Sequence, residues 1–252
     1  MKNYIKILVL FLLLSYNGQA QILNLNKQLI QNDSIKWLGQ VRLFFTLIDQ
    51  EVSVANMGGN LDLVRKFKKH SLMTVSKVSF ARSNSETLLS DGYAHLRMIF
   101  NRHKKLGEEV FWQIQYNAIR GMQDRNLVGG GFRYILMDSE KYGLLAGSAV
   151  MKEWESWLFN DAIKDVSIIK SSNYLSLFAE VNKNFHFNVI SYYQASFTNF
   201  FQPRVSLEIN LNINLTERLL FTSNFTAYYD AQPIIPIDKF VYKFKNGLGY
   251  KF

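Results

Sequence analysis

Four histidines, His70, His95, His103 and His186, are the side chains best placed to move a proton or hold a metal ion near neutral pH. They are dispersed, there is no cysteine and no HExxH, so no zinc-type ligand set forms from the sequence. A barrel lipase of the outer-membrane phospholipase type needs a histidine two residues before a nucleophilic serine, and none of the four has that spacing. Gly129, Gly130 and Gly131 invite a phosphate-loop reading, but no helix follows and no GxxxxGK[ST] pattern is present. The expectation is a protein with no catalytic, cofactor-binding or metal residues, no cofactor and no enzymatic activity. A Ser-His enzyme of another geometry stays open as an alternative.

The polar residues that remain are organised by strands. From residue 204 to 215, Val205, Leu207, Ile209, Leu211, Ile213 and Leu215 alternate with Arg204, Ser206, Glu208, Asn210, Asn212 and Asn214. One face is greasy. The other carries an ion pair's worth of charge and three amides, a poor soluble core but a good hydrogen-bonded lumen. At about 3.3 Å per residue such a strand, tilted, crosses the hydrocarbon core of a bilayer.

Similar period-two segments fall near 36–46, 51–67, 71–81, 87–101, 108–119, 126–137, 142–152, 173–181, 185–197, 204–215, 218–229 and 239–252. The fold expected is all-β: an antiparallel up-and-down transmembrane β-barrel of about 12 strands. Brief polar links at 68–70, 102–107, 138–141, 182–184 and 216–217 alternate with longer ones at 82–86, 153–172, 198–203 and 230–238. The first link, 47–50, is short and breaks that alternation. Link 153–172 holds Trp154, Trp157, Leu158, Phe159 and Ile163. It could fold inward as a plug or contact a partner. Strands that simply continue beyond the bilayer are the preferred reading.

Residues 1–20 read as a signal peptide, with Lys2 and Lys6 at the start of an apolar run from Ile5 to Leu14 and small residues at Gly18 and Ala20. Residues 21–35 are then an N-terminal periplasmic segment and 36–252 the barrel. Removing Lys2 and Lys6 with the leader takes the formal net charge from +9 to +7. Those charges are scattered singly among strands, which argues against nucleic-acid binding. The absence of cysteine excludes a lipoprotein anchor and a disulfide framework.

The ending resembles the carboxy-terminal assembly signal of outer-membrane proteins, with Tyr250 and Phe252 as its aromatic positions. It implies the barrel-assembly machinery and outer-membrane lipid as partners, and the outer membrane of a Gram-negative bacterium as location. Aromatic residues at 15% also suit interfacial girdles.

A family resemblance runs through the middle of the chain. His95-Leu96-Arg97, the stretch from Glu109 to Asn117, Arg125, Gly129 to Arg133, and Gly147 with Glu153 and Glu155 resemble the YdiY-like family of salt-induced outer-membrane proteins, built on a domain of unknown function. The likeness implies an outer-membrane barrel without an established substrate, and no functional residue carries over.

From the alternation itself, the lumen-lining candidates are Glu109, Gln113, Gln115, Asn117, Arg133, Glu180, Arg204, Glu208, Asn210 and Asn212. Gly129 and Gly131 share Arg133's parity, which leaves room for its long side chain, or for a neighbour's, to lie across the inner wall. Paired Glu and Arg inside neutralise each other or form a ring that selects small solutes. The functional expectation is an integral barrel acting as a narrow diffusion channel or an envelope-stabilising protein. The alternatives are a lipid-modifying enzyme and a soluble exported barrel around an apolar ligand, the latter needing a very large apolar cavity.

Overall fold

The computed structural model describes residues 36–48, 54–83 and 86–251. The expected signal peptide, the segment 21–35 and Phe252 lie outside the described residues. Twelve strands form one closed antiparallel barrel: β1 (Trp37–Ile48), β2 (Val54–Lys66), β3 (Ser71–Ser83), β4 (Glu86–Ile99), β5 (Leu106–Asn117), β6 (Met122–Asp138), β7 (Tyr142–Phe159), β8 (Ala162–Asn182), β9 (Phe185–Ser196), β10 (Arg204–Asn214), β11 (Leu219–Asp230) and β12 (Phe240–Lys251). Each strand pairs with its sequence neighbours, and β1 closes on β12 through a register that sets Arg42 opposite Gly249 and Phe44 opposite Gly247. Closure satisfies the backbone and leaves no free sheet edge, which is what a strand-built wall in lipid requires.

The period-two pattern decides which face looks out. On β12, Tyr242, Phe244, Leu248 and Tyr250 are exposed outward while Lys243, Lys245, Gly247 and Gly249 point inward. On β5, Val110, Trp112 and Ile114 are exposed and Glu109 and Phe111 are buried. The exterior is therefore a wall of large apolar side chains around a polar interior, the reverse of a soluble barrel.

At 153–172 the preferred reading holds: the strands continue, further than their expected ends at 152 and 173, and no plug forms there. β7 and β8 run straight through the stretch as strands of 18 and 21 residues, joined only by Asn160 and Asp161. Both turn residues have positive φ, 50° and 58°, the type I′ geometry that matches strand twist and that Asn and Asp tolerate. Strand β9 ends opposite Lys170, so residues 162–169 of β8 pair with β7 alone and the hairpin overhangs the barrel wall. Link length consequently separates the two rims only in part, with brief links on one and both long and tight links on the other. Both rims carry tight connections, and the long ones at 197–203 and 231–239 sit on the rim with the overhang, called here the distal rim.

The proximal rim, where β1 starts and β12 ends, is filled from inside. Leu38, Val64, Met73 and Ile99 on four neighbouring strands pack together at that end, all facing inward. A close approach elsewhere is bought with glycine: a Cβ on Gly131 would sit 2.1 Å from the Ser148 carbonyl oxygen of β7.

Candidate functional site: the barrel lumen

Inside the wall lies a cavity of about 430 Å³, lined from the distal rim down past the middle of the barrel. Of the lumen candidates, Glu109, Gln113, Gln115, Asn117, Glu208, Asn210 and Asn212 line it. Arg204 is buried against the wall in an ion-pair network, while Arg133 and Glu180 sit towards the proximal end, outside the cavity. Arg133 is 1% exposed and donates to the Arg102 carbonyl at 2.7 Å. Its room comes from an unexpected glycine. Gly107, its cross-strand partner, lies against the guanidinium, where a Cβ would be 3.3 Å from Nε. Gly129 and Gly131 clear space for neighbours, the other reading of their parity: Phe111, Met151 and the β7 backbone. Tyr250 lies on the outer face, where its hydroxyl takes a hydrogen bond from Arg218 at 3.3 Å.

Three polar groups bridge the lumen. The densest joins β6, β7, β8, β10 and β11 near the distal rim: Arg125, Arg204 and Lys170 against Glu153, Glu155 and Asp230. Arg125 Nε is 2.9 Å from Glu153 and 3.0 Å from Glu155, and Arg204 reaches Glu155 and, at 3.1 Å, Asp230. The Lys170 ammonium joins Glu153 at 2.5 Å and the Trp157 indole donates to Glu155 at 3.0 Å. Three cations meet three carboxylates, so the network closes on itself, as buried charge must.

Halfway down, Arg97 of β4 donates to the Tyr192 hydroxyl of β9 at 3.1 Å and sits 3.6 Å from Glu109. Tyr174 of β8 donates to Glu109 at 3.1 Å. These bonds tie strands on opposite sides of the ring and constrict the passage. Arg97 also donates to His95 Nε2 at 3.3 Å. That nitrogen must therefore accept, which makes Nδ1 the protonated atom facing Gln113 Oε1 at 3.1 Å. His95 is thus held as a neutral hydrogen-bonding residue. The third group pairs Arg42 with Asp62 and, at 3.3 Å, with Asn210, which Asn224 holds at 2.8 Å.

Sequence reasoning placed Glu153 and Glu155 in a link and so missed their role. The signal was present, because Met151, Glu153, Glu155 and Trp157 alternate with outward Trp154 and Leu158. Lys77, Asp91 and Tyr192 were also missed, although each falls on the lumen-facing parity of its strand.

The distal mouth is crossed by the link at 231–239. It leaves β11 and packs Ile235 between Met122 of β6 and Trp157 of β7, with Ile234 and Ile237 alongside. Lys164 of the overhanging hairpin donates to the Ile234 carbonyl at 2.7 Å, Arg120 to the Asp238 carbonyl at 3.4 Å, and the Ala231 amide to the Pro203 carbonyl at 3.0 Å. Strands β6 and β12 stand half a ring apart, so this strap spans the opening. Gly121, with φ of 78°, makes space beneath it, since a Cβ there would meet Leu158 O at 2.7 Å and Ile235 at 3.3 Å.

An apolar outer wall, a polar interior and complete closure define a transmembrane antiparallel β-barrel of the outer-membrane class. The chain belongs to the family described as "Protein of unknown function, DUF481", whose sequence model matches residues 53–252. That agrees with the YdiY-like resemblance. A search of curated proteins gives no significant match. Among solved structures, the NanC porin is similar at a TM-score of 0.50 and 7% identity, covering 85% of this chain and 100% of that one, which shows a shared fold. An outer membrane channel from Pseudomonas putida F1 is similar at a TM-score of 0.49 and 8% identity, over 94% of this chain and 100% of that one. The KdgM porin in complex with disordered oligogalacturonate follows at 0.45 and 7%, over 86% and 99%.

Proposed function

We propose that this chain is an integral outer-membrane protein acting as a narrow diffusion channel for small polar solutes, with its passage closed in the conformation described. The observation that carries this reading is the cavity of about 430 Å³, lined by amides and charges inside a wall whose outer face is apolar. Its closure is accounted for by the strap at 231–239, the Arg97–Tyr192 bridge and the apolar packing at the proximal rim. The NanC porin, which shares this fold, accords with a channel. Envelope stabilisation is the second reading, favoured by the self-neutralising network around Glu153, which braces five strands.

Reconstitution of the full chain into planar bilayers tests the proposal. Wild-type protein is expected to open rarely and with small conductance. A variant with Ile234, Ile235 and Ile237 all changed to Ser should detach the strap and raise the open fraction. Silence from both proteins, each shown folded by heat-modifiable gel mobility, would leave envelope stabilisation as the function.

A further inference from the structure

Most cations that line or border the cavity each meet a carboxylate, and one wall carries more lysines than acids. Lys77 of β3, Lys243 of β12 and Asp91 of β4 line the cavity below the distal rim, with Arg120 at the mouth, and Lys245 follows Lys243 on the inward parity of β12. Asp91 alone answers them. Its two oxygens are already divided, one 3.3 Å from Lys77 and the other 3.5 Å from Lys243. Lys245 lies within electrostatic range of Lys77, Lys243 and Asp91 and has no carboxylate of its own among the described residues. Elsewhere Arg125, Arg204 and Lys170 meet three carboxylates, Arg97 meets Glu109, and Arg42 meets Asp62.

The geometry points to an anion-binding site on this wall, for a small doubly charged oxyanion such as phosphate or a compact dicarboxylate. Ammonium groups are compact point charges on flexible stems, suited to gather round an anion of variable shape without the fixed fork geometry that arginine imposes. Half-buried in a narrow lumen, they attract an anion more strongly than lysines on an open surface, because the low-dielectric walls focus the field. A ring or cluster of lysines is also how pores favour anions. Asp91 acts as a place-holder: it gathers Lys77 and Lys243 when the site is vacant, at distances loose enough to be exchanged for a ligand. This inference deepens the channel reading by naming the solute class, yet binding can be measured without conduction.

The test is calorimetric titration of the folded full chain in detergent micelles with inorganic phosphate, at near-neutral pH and constant ionic strength. One saturable site is expected. Lys243→Gln and Lys245→Gln should each weaken it about tenfold, the scale of one charge-assisted hydrogen bond. Asp91→Asn should tighten it several-fold, since it removes the competing anion. Heat-modifiable mobility checks that each variant is folded, and wild-type protein alone decides whether the site exists. The inference is overturned if wild type shows no saturable binding, or if all three variants bind like wild type. Phosphate binding by a barrel that never conducts would sink the channel reading alone, and conduction without phosphate binding would sink this inference alone.

Discussion

Two clusters of charge share one lumen and are built oppositely. Around Glu153 and Glu155, three cations and three carboxylates are buried together, each charge held by at least one partner, with side chains from β6, β7, β8, β10 and β11. Along β3, β4 and β12, three lysines share one aspartate, and their side chains stay partly open, 28% for Lys77 and 37% for Lys243. In the first cluster the barrel has spent its charges on itself. In the second it has left them to be used. Burial favours pairing, because an unpaired ion deep in a protein costs several kcal/mol. Partial exposure to lumen water relaxes that demand and lets an excess of one sign persist.

The largest expected effect comes from breaking the closed network. Arg204→Ala removes a guanidinium bound to Glu155 and Asp230 and leaves both carboxylates buried at low exposure. Loss of one partner from a buried pair costs about 3–5 kcal/mol. Urea unfolding of the barrel in micelles should show a drop of that size. A change below about 1 kcal/mol would mean that water reaches these groups and that the two clusters are not the different objects described here.

How much of this was legible from the residues alone follows the same division. The barrel itself was readable, because lipid outside and amides inside impose a period of two on every wall strand, as between residues 204 and 215. The lumen placement of Glu109, Gln113 and Gln115 came from the same alternation. The strand hairpin at 160–161 was obscured by its apolar composition: Trp154, Leu158, Phe159 and Ile163 look like a buried loop, yet they are exposed on strands. Pairings across the lumen were beyond reach. Which carboxylate meets Arg125 or Arg204 depends on strand stagger and on which strands face one another across the ring, neither of which leaves a mark on local sequence. The strap over the mouth was hidden for a similar reason, since its two prolines and three isoleucines say only that 231–239 is no strand.

A middle-sized effect sharpens the comparison from the other side. Asp91→Asn takes the one carboxylate from the lysine wall and leaves Lys77, Lys243 and Lys245 to repel one another. The lysines are partly solvated, so the cost should be only about 1 kcal/mol. Millimolar phosphate should restore that loss, because a ligand that binds only the folded state stabilises it by mass action. The same phosphate added to Arg204→Ala should restore nothing, since the groups exposed there are anionic. Recovery of both variants by phosphate would reduce the effect to general salt screening.

The smallest effect is the most discriminating. Lys245→Gln removes a charge that has no carboxylate partner among the described residues and stands near two like charges. If the lysines were present to hold the wall together, its loss would destabilise the barrel. If they are held for a ligand, the vacant protein should be unchanged or slightly more stable, by a few tenths of a kcal/mol, as mutual repulsion is relieved. Added salt, which screens the same repulsion, should then stabilise wild type slightly and the variant less. A variant clearly less stable than wild type, with an undiminished response to salt, would place Lys245 among the structural charges and erase the contrast between the two clusters.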